Sequence, residues 1–463
     1  MIRSKKIHFE ISERKLLLRF FDIFFVLTAL YILGNVFDFD YFKFPSSNFY
    51  WAIVLAIYIN VFGAIFEMYN LQVASNRYQV LKNTVLTTST IVLFYLLTPI
   101  LSPQLPSNRI QLILFYLVVF GVLYSWRMFY VFFLATDRFF QSVLLICDKD
   151  QVQELIAGIE SVDPHYKIVA YVNTSAVENN ALHYVQNIKS DDLTLFVKEN
   201  GISEILISSQ NKEGDVSAEL YSQLLHLIKL GKSIRDYSQV YESKTLRIPV
   251  QYITKDFYRY FPFSRSNQNK LYLLIVKFFE IGVAIFGLLI GIAFIPFVLL
   301  GNAICSRGKL FYTQERVGKD GVVFEIYKFR TMIENAESKG AVFAKTNDSR
   351  VTRFGKILRK TRIDEFPQFI NILKGDMALI GPRPERPFFV KKITDVMSFY
   401  GTRHVVKPGL TGWAQVNYSY GESIDDSLIK LQYDLYYIKH RSIYLDLSIA
   451  FKTITTVVFY RGQ

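Results

Sequence analysis

The sequence predicts a membrane α-helical plus α/β protein: a four-helix transmembrane bundle, a small α/β domain with a largely parallel sheet, and a mostly helical carboxyl-terminal domain. Three observations carry this. The 463-residue chain is 51% hydrophobic and 16% aromatic, with a mean hydropathy of +0.21, too apolar for an ordinary soluble protein. Four apolar runs crowd its first third. Short β-like runs alternate with helical ones between about 140 and 250.

The four runs, 16–37, 49–69, 85–101 and 110–134, each approach the ~20 residues that a helix needs to cross the hydrocarbon core. Arg3, Lys5, Lys6, Arg14 and Lys15 precede the first, and the next loop carries Asp38, Asp40 and a lone Lys43, which predicts a cytoplasmic amino terminus. No small-residue cleavage site follows the first run, so it is expected to stay. Arg77 and Lys82 place the second loop inside, and Arg127 and Arg138 bring the chain back to the cytoplasm. Asp22, inside the first run, either marks a polar contact or lies at the interface, the second being the plainer reading.

Between 136 and 250, SVLLIC, DQVQELIAGIE, YKIVAYVN, SEILISS and SAELYSQLLHLIKLG alternate strand and helix patterns. The first strand-to-helix turn reads CDKDQVQ, without the glycines that let backbone approach a pyrophosphate, and Asp148 and Asp150 would repel one. A structural or regulatory role is therefore expected rather than dinucleotide binding. The aromatic and basic stretch 251–270 reads as a linker that skims a membrane surface or packs as an ordinary loop. Cys147 and Cys305 stand far apart, outside any metal-ligand spacing, and are expected to be buried thiols.

A fifth apolar run, 281–300, is flanked by Lys270 and Lys277 before it and by Arg307 and Lys309 after it. Both ends read as cytoplasmic, which a re-entrant helix over 274–300 broken at Pro296 would satisfy; a straight, proline-kinked span is the alternative.

Beyond it the formal net charge of +13 is concentrated. Arg316, Lys319, Lys328 and Arg330 come first, then Arg353, Lys356, Arg359, Lys360 and Arg362, then Arg383, Arg386, Arg403 and Lys407. No nucleic-acid recognition helix or RNA-binding signature accompanies them, so nucleic acid is not the expected partner. Arginine grips phosphate oxygens in pairs, and the VGKDG turn lets backbone amides approach an anion; a phosphorylated small substrate fits better. Amid these cations stands DEFPQFINILKG. Pro367 suits the first turn of a helix whose face carries Phe366, Phe369, Ile370 and Leu373 and which Gly375 ends. Asp364 and Glu365 then lie at its amino terminus, where Asp364 either caps the helix or joins a site for chemistry.

The phrases FYTQERVGKDG, YKFRTM, RFGKILRKTRIDEFPQFINILKGDMALIGPRPE and HVVKPGLTGWAQVN occur in order over roughly the last 190 residues, and with them the chain resembles the monotopic polyprenyl-phosphate phosphoglycosyl transferases of bacterial glycoconjugate assembly. The preceding bundle and α/β domain resemble the large subclass that initiates capsule, exopolysaccharide or O-antigen repeats. The resemblance implies a four-helix transmembrane domain over 1–135, a Rossmann-like cytoplasmic α/β domain over 136–250, a linker over 251–270, and a catalytic domain over 271–463 with its re-entrant helix.

It further implies that Asp364 is the nucleophile on the β-phosphate of a UDP-sugar, that UMP leaves, and that undecaprenyl phosphate accepts the phosphosugar. Glu365 would help hold Mg²⁺; Arg359, Arg383, Lys328, Arg330 and Arg316 would bind substrate phosphate. Asp434, Arg403 and Lys407 lie in matching segments with less defined roles. The bacterial inner membrane, with the catalytic domain on its cytoplasmic face, and a homodimer are the implied setting. The chain departs from the family in having Lys277 and Glu280 where an Arg and an Asp are usual, and Ile295 before Pro296 where a serine is usual. The competing expectation is a noncatalytic membrane scaffold or nucleotide sensor; a sugar-nucleotide transporter fits less well, because the polar residues concentrate outside the spans.

Overall fold

The computed structural model describes residues 11–70, 74, 77–134, 141–148, 151–163, 166–173, 186–188, 193–208, 218–250, 264–305, 308–333, 336, 348–418 and 423–458. The chain divides into two compact units, Met1–Thr245 and Leu246–Gln463. Most of the expected linker, 251–263, lies outside the described residues.

In the first unit α1 (Ile11–Val36), α2 (Tyr50–Ile65), α3 (Arg77–Leu97) and α4 (Ile110–Phe129) pack around Leu30, Leu55, Ile91, Tyr95 and Phe115. Helices α1, α3 and α4 are long and apolar enough to cross a membrane. The second expected span, 49–69, is cut short. α2 has 16 residues, about 24 Å at ~1.5 Å per residue, below the ~30 Å of a hydrocarbon core. The chain turns out of it at Phe66, and Glu67 takes a left-handed φ of 55°. Helix α3 begins eight residues ahead of the expected 85, because Asn83, Thr84, Thr87 and Thr88 share its buried face with Val80 and Ile91.

Asp22 is not interfacial. It is fully buried, and Arg127 of α4 reaches it through both Nε, at 3.1 Å, and Nη2, while Nη1 donates to the Met68 carbonyl at 2.6 Å. A carboxylate inside an apolar bundle needs such a partner, and a guanidinium supplies it with two parallel bonds.

The α/β part holds a five-stranded, all-parallel sheet in the order β3-β2-β1-β4-β5. Its strands are β1 (Gln141–Cys147), β2 (Tyr166–Asn173), β3 (Gln186–Ile188), β4 (Glu204–Ile207) and β5 (Ser233–Asp236). Helices α5 (Val152–Glu160), α6 (Leu193–Glu199), α7 (Ala218–Lys229) and α8 (Tyr237–Thr245) accompany them. Buried Leu144, Ile146, Val172 and Ile205 explain why the strands read as continuous apolar runs, as parallel strands do. β3 has no such signature in its three residues, QNI, and was not expected.

The second unit begins with residues 246–250, whose Ile248 and Val250 pack into a core with Phe389, Trp413, Leu431, Leu435 and Ile449. α9 (Lys270–Cys305) is a 36-residue apolar helix, the fourth that is long enough to cross a membrane. It runs through Pro296 without interruption, so the break expected there does not end the helix. Cys305, at its end, is exposed rather than buried, whereas Cys147 is buried.

A hairpin of β6 (Phe311–Val317) and β7 (Val323–Phe329) follows, turning at Lys319–Gly321. Then come α10 (Arg353–Thr361), α11 (Phe369–Lys374), β8 (Ala378–Ile380), α12 (Pro387–Val396), β9 (Gly409–Thr411), α13 (Trp413–Asn417), α14 (Ile424–His440) and α15 (Ile443–Val458). β8 and β9 pair in parallel, and Glu280 of α9 accepts from the Leu379 amide at 2.8 Å, which fastens α9 to this small sheet. Glycines let α9 approach closely: a Cβ at Gly287 would lie 2.3 Å from the Phe369 ring.

Candidate active site

The Asp-Glu pair does not cap an α-helix. Residues Ile363–Gln368 form a 3₁₀ turn that contains both carboxylates and Pro367, and the α-helix starts only at Phe369. Proline has no N–H to close an α-helical turn, so the chain winds more tightly until it is passed. Arg362 enters the turn in the left-handed region, φ 59°, and Gly375, φ 89°, ends α11 as expected. Phe369 faces α9, but Leu373 is 40% exposed, and Ile372 takes the core position beside Ala284 and Ile326.

Three segments deliver cations to one oxygen of Glu365. Its Oε1 lies 3.2 Å from Arg383 Nη2, 3.4 Å from Arg362 Nη1 and 3.6 Å from Lys328 Nζ. Burial alone would raise the Glu365 pKa, but these three charges hold its carboxyl well below the usual range. Asp364 is the opposite case. Burial and the neighbouring Glu365 charge push its carboxyl up, with Lys328, Arg359 and Arg362 only partly offsetting them. Its Oδ1 is buried without a hydrogen-bond partner. Burial likewise lowers the Lys328 pKa, against the pull of Glu365.

The supports of these groups are specific. Asn371, fully buried, donates to the Glu325 carbonyl at 2.7 Å and accepts from the Tyr327 amide at 3.1 Å, which pins β7 and so Lys328 against the turn. Thr352 caps α10 by accepting from the Gly355 amide, and Arg359 on that helix donates to Thr331 Oγ1 at 3.0 Å. Arg316 donates to the Pro384 carbonyl at 3.3 Å and to Gln314 at 2.7 Å, and pairs with Glu385 at 3.6 Å. Arg330 turns toward α9, donating to Asn302 Oδ1 at 3.0 Å. Asp434 is buried against Arg403, 2.7 Å away, and Arg403 also donates to the Arg383 carbonyl at 2.9 Å. Burial pushes the Asp434 carboxyl up to about 6 despite that partner. Lys407, just before β9, lies over Gly375.

Arg362 and Asn371 escape a reading of site residues from sequence alone. Arg362 carries the ordinary i,i+3 spacing to Glu365, and Asn371 lies in an apolar stretch with its role set by a strand 46 residues away. The polar interruption of INILK at Asn371 is the one sequence signal that could have pointed to it.

The sequence profile of the family described as bacterial sugar transferase matches residues 271–460. A UDP-N-acetylgalactosamine-undecaprenyl-phosphate N-acetylgalactosaminephosphotransferase of Aeromonas hydrophila is 48% identical over 188 residues, 40% of this chain and 44% of the relative. A UDP-glucose:undecaprenyl-phosphate glucose-1-phosphate transferase of Xanthomonas campestris pv. campestris is 32% identical over 279 residues, 58% of this chain and 55% of the relative. The matches thus span about half the length of these two relatives. An uncharacterized sugar transferase EpsL of Bacillus subtilis (strain 168) is 35% identical over 190 residues, 41% of this chain and 90% of the relative. With a relative of that identity covered over 90% of its length, and a family profile matching the stretch that holds the Asp364–Glu365 turn, this chain belongs to the bacterial sugar transferase family, the polyprenyl-phosphate phosphoglycosyl transferases.

Proposed function

We propose that this chain transfers a sugar-1-phosphate from a UDP-sugar to undecaprenyl phosphate, in two displacements at Asp364. The observation that carries the reading is the asymmetry of the pair: a buried Asp364 oxygen with no hydrogen-bond partner beside a Glu365 that three cations hold ionised. In the first displacement Asp364 attacks the β-phosphorus, the bond to the bridging oxygen breaks, and UMP leaves with that oxygen. In the second, a phosphate oxygen of undecaprenyl phosphate attacks the same phosphorus and returns the Asp364 carboxylate, giving undecaprenyl-diphosphate-sugar. Each step transfers phosphorus between two oxygens, so covalent catalysis replaces one encounter of two large anions by two encounters at a fixed carboxylate. Arg383, Lys328 and Arg359 orient and neutralise the phosphate oxygens.

Mg²⁺ fits the donor set. The described residues contain no group of three or more His, Cys, Asp or Glu side chains for a closed protein site, but a hard cation needs only one or two carboxylates when phosphate oxygens complete its shell. Glu365 would help hold it, and when bound it supplies charge neutralisation on the transferring phosphate. The relatives' names differ in their sugar, N-acetylgalactosamine against glucose, and both donors are candidates here.

The strand order 3-2-1-4-5 supports a Rossmann-like reading of the α/β part, for which we propose a structural or regulatory role. The basic residues that flank α9 at both ends support a catalytic unit on the cytoplasmic face of the inner membrane, and the subclass resemblance supports a homodimer.

The test is UMP release by the full chain in lipid vesicles with undecaprenyl phosphate, Mg²⁺ and each UDP-sugar in turn, followed by trapping of labelled sugar-phosphate on the protein. Label that maps to Asp364 and is lost in Asp364→Asn is expected. An Asp364→Asn enzyme with full turnover would sink the mechanism, and no UMP release from any donor would leave a noncatalytic role.

A further inference from the structure

Residues 382–385 form a short run in which two prolines lack an N–H, yet every carbonyl is taken. The Gly409 amide donates to Pro382 at 2.9 Å, Arg403 Nη2 to Arg383 at 2.9 Å, Arg316 Nη1 to Pro384 at 3.3 Å, and the Val317 amide to Glu385 at 2.9 Å. Four successive carbonyls are therefore gripped from β6, β9 and the 398–405 turn. Two of the four donors are guanidinium groups. Placing a charged donor where a backbone amide would serve is costly unless its own partners are fixed.

Arg403 is fixed more completely than its task as a carbonyl donor requires. It is buried, with Asp434 of α14 2.7 Å from Nη2 and the Tyr400 hydroxyl on Nη1. The residue whose carbonyl it grips is Arg383, the same residue whose side chain reaches Glu365 Oε1 at 3.2 Å. Asp434, Arg403, Arg383 and Glu365 thus form one chain of contacts from a helix core to the carboxylate pair.

We infer that Asp434 and Arg403 are positioning residues for phosphosugar transfer, acting through the Arg383 backbone to hold the Arg383 guanidinium on Glu365 and the transferring phosphate. This rests on the proposed reading of the Asp364–Glu365 site. The carboxylate of Asp434 sets the plane of Arg403, Arg403 sets the height of the Arg383 peptide, and the prolines on both sides remove the freedom to slip. A displacement of about 1 Å in such a group costs on the order of 100-fold in rate.

The test is a double-mutant cycle on UMP release by the full chain in vesicles, using the UDP-sugar that the wild type turns over. Asp434→Asn is expected to lower kcat about 10- to 100-fold while the donor KM changes less than about threefold. In an Arg383→Ala background the same change should cost less than about twofold, because the residue it positions is gone. Arg403→Lys, which keeps the charge but loses the planar fork, repeats the cycle if Asp434→Asn fails to fold. Equal losses in both backgrounds, wild-type turnover by Asp434→Asn, or failure of both variants to fold would each overturn the inference and assign the pair to stability alone. A wild-type chain that releases no UMP from any donor would instead overturn the reading of the site, and this inference with it.

Discussion

Asp364 and Glu365 are adjacent in the chain yet meet opposite electrostatic surroundings: Arg383, Arg362 and Lys328 gather on Glu365 Oε1, and Asp364 Oδ1 is buried with no hydrogen-bond partner. Two neighbouring carboxylates are thereby pushed apart in acidity, which assigns them different tasks. Under the proposed function, the one held ionised would serve as an electrostatic anchor, and the one that burial and its neighbour leave more basic would serve as the nucleophile.

The pH dependence of the first displacement follows from this. On the proposed mechanism Asp364 attacks in its ionised form, and its folded pKa is raised, so kcat/KM for the donor should rise with pH through a midpoint above the ~3.9 of an ordinary aspartate. Arg359 is one of the charges that lower this pKa, so Arg359→Ala should move the midpoint to higher pH. A pH profile of kcat/KM checks both signs; a midpoint at or below ~4 in the wild type, or a downward move in Arg359→Ala, would contradict the assignment.

Glu365→Gln separates charge from chemistry. The like charge that raises the Asp364 pKa is removed, so the acidic limb should move to lower pH. The anchor for Arg383, Arg362 and Lys328 goes with it, and kcat should fall about 100-fold or more. A variant that loses rate without moving the limb would show that the two carboxylates are not coupled.

Within the bundle, Asp22→Asn should leave Arg127 buried and without its counter-charge. The expected cost is about 3–5 kcal/mol of bundle stability, whereas replacing both partners by apolar residues, Asp22→Leu with Arg127→Met, should recover most of it. Thermal unfolding of the full chain in nanodiscs compares the three proteins. Equal midpoints for Asp22→Asn and the wild type would mean that the pair contributes nothing.

Gly355 on α10 abuts Thr331 so closely that a Cβ would lie 2.0 Å from its carbonyl oxygen and 2.8 Å from its carbonyl carbon. Backbone cannot yield as a flexible side chain can. Gly355→Ala should drive α10 outward, cost about 1–3 kcal/mol, and break the Arg359–Thr331 hydrogen bond that orients Arg359. A lowered unfolding midpoint together with reduced UMP release is the expected pair of results; an unchanged midpoint would show that the segment shifts freely.

Much of this was legible in the amino-acid sequence, for a physical reason that also marks where legibility stops. Apolar runs disclosed α1, α3, α4 and α9 because the length that crosses a bilayer is written locally. Alternating runs disclosed the parallel α/β part because burial on both faces makes strands continuously apolar. The Asp-Glu pair stood out because adjacent carboxylates amid cations are locally costly. Tertiary structure alone decided the rest: Asp22 finding Arg127 across 105 residues, α2 ending short, Asp364 inside a 3₁₀ turn, and three segments converging on one oxygen of Glu365. Composition and period report which face of an element will be buried. Which distant side chain meets it there depends on how the elements pack, and no local pattern contains that.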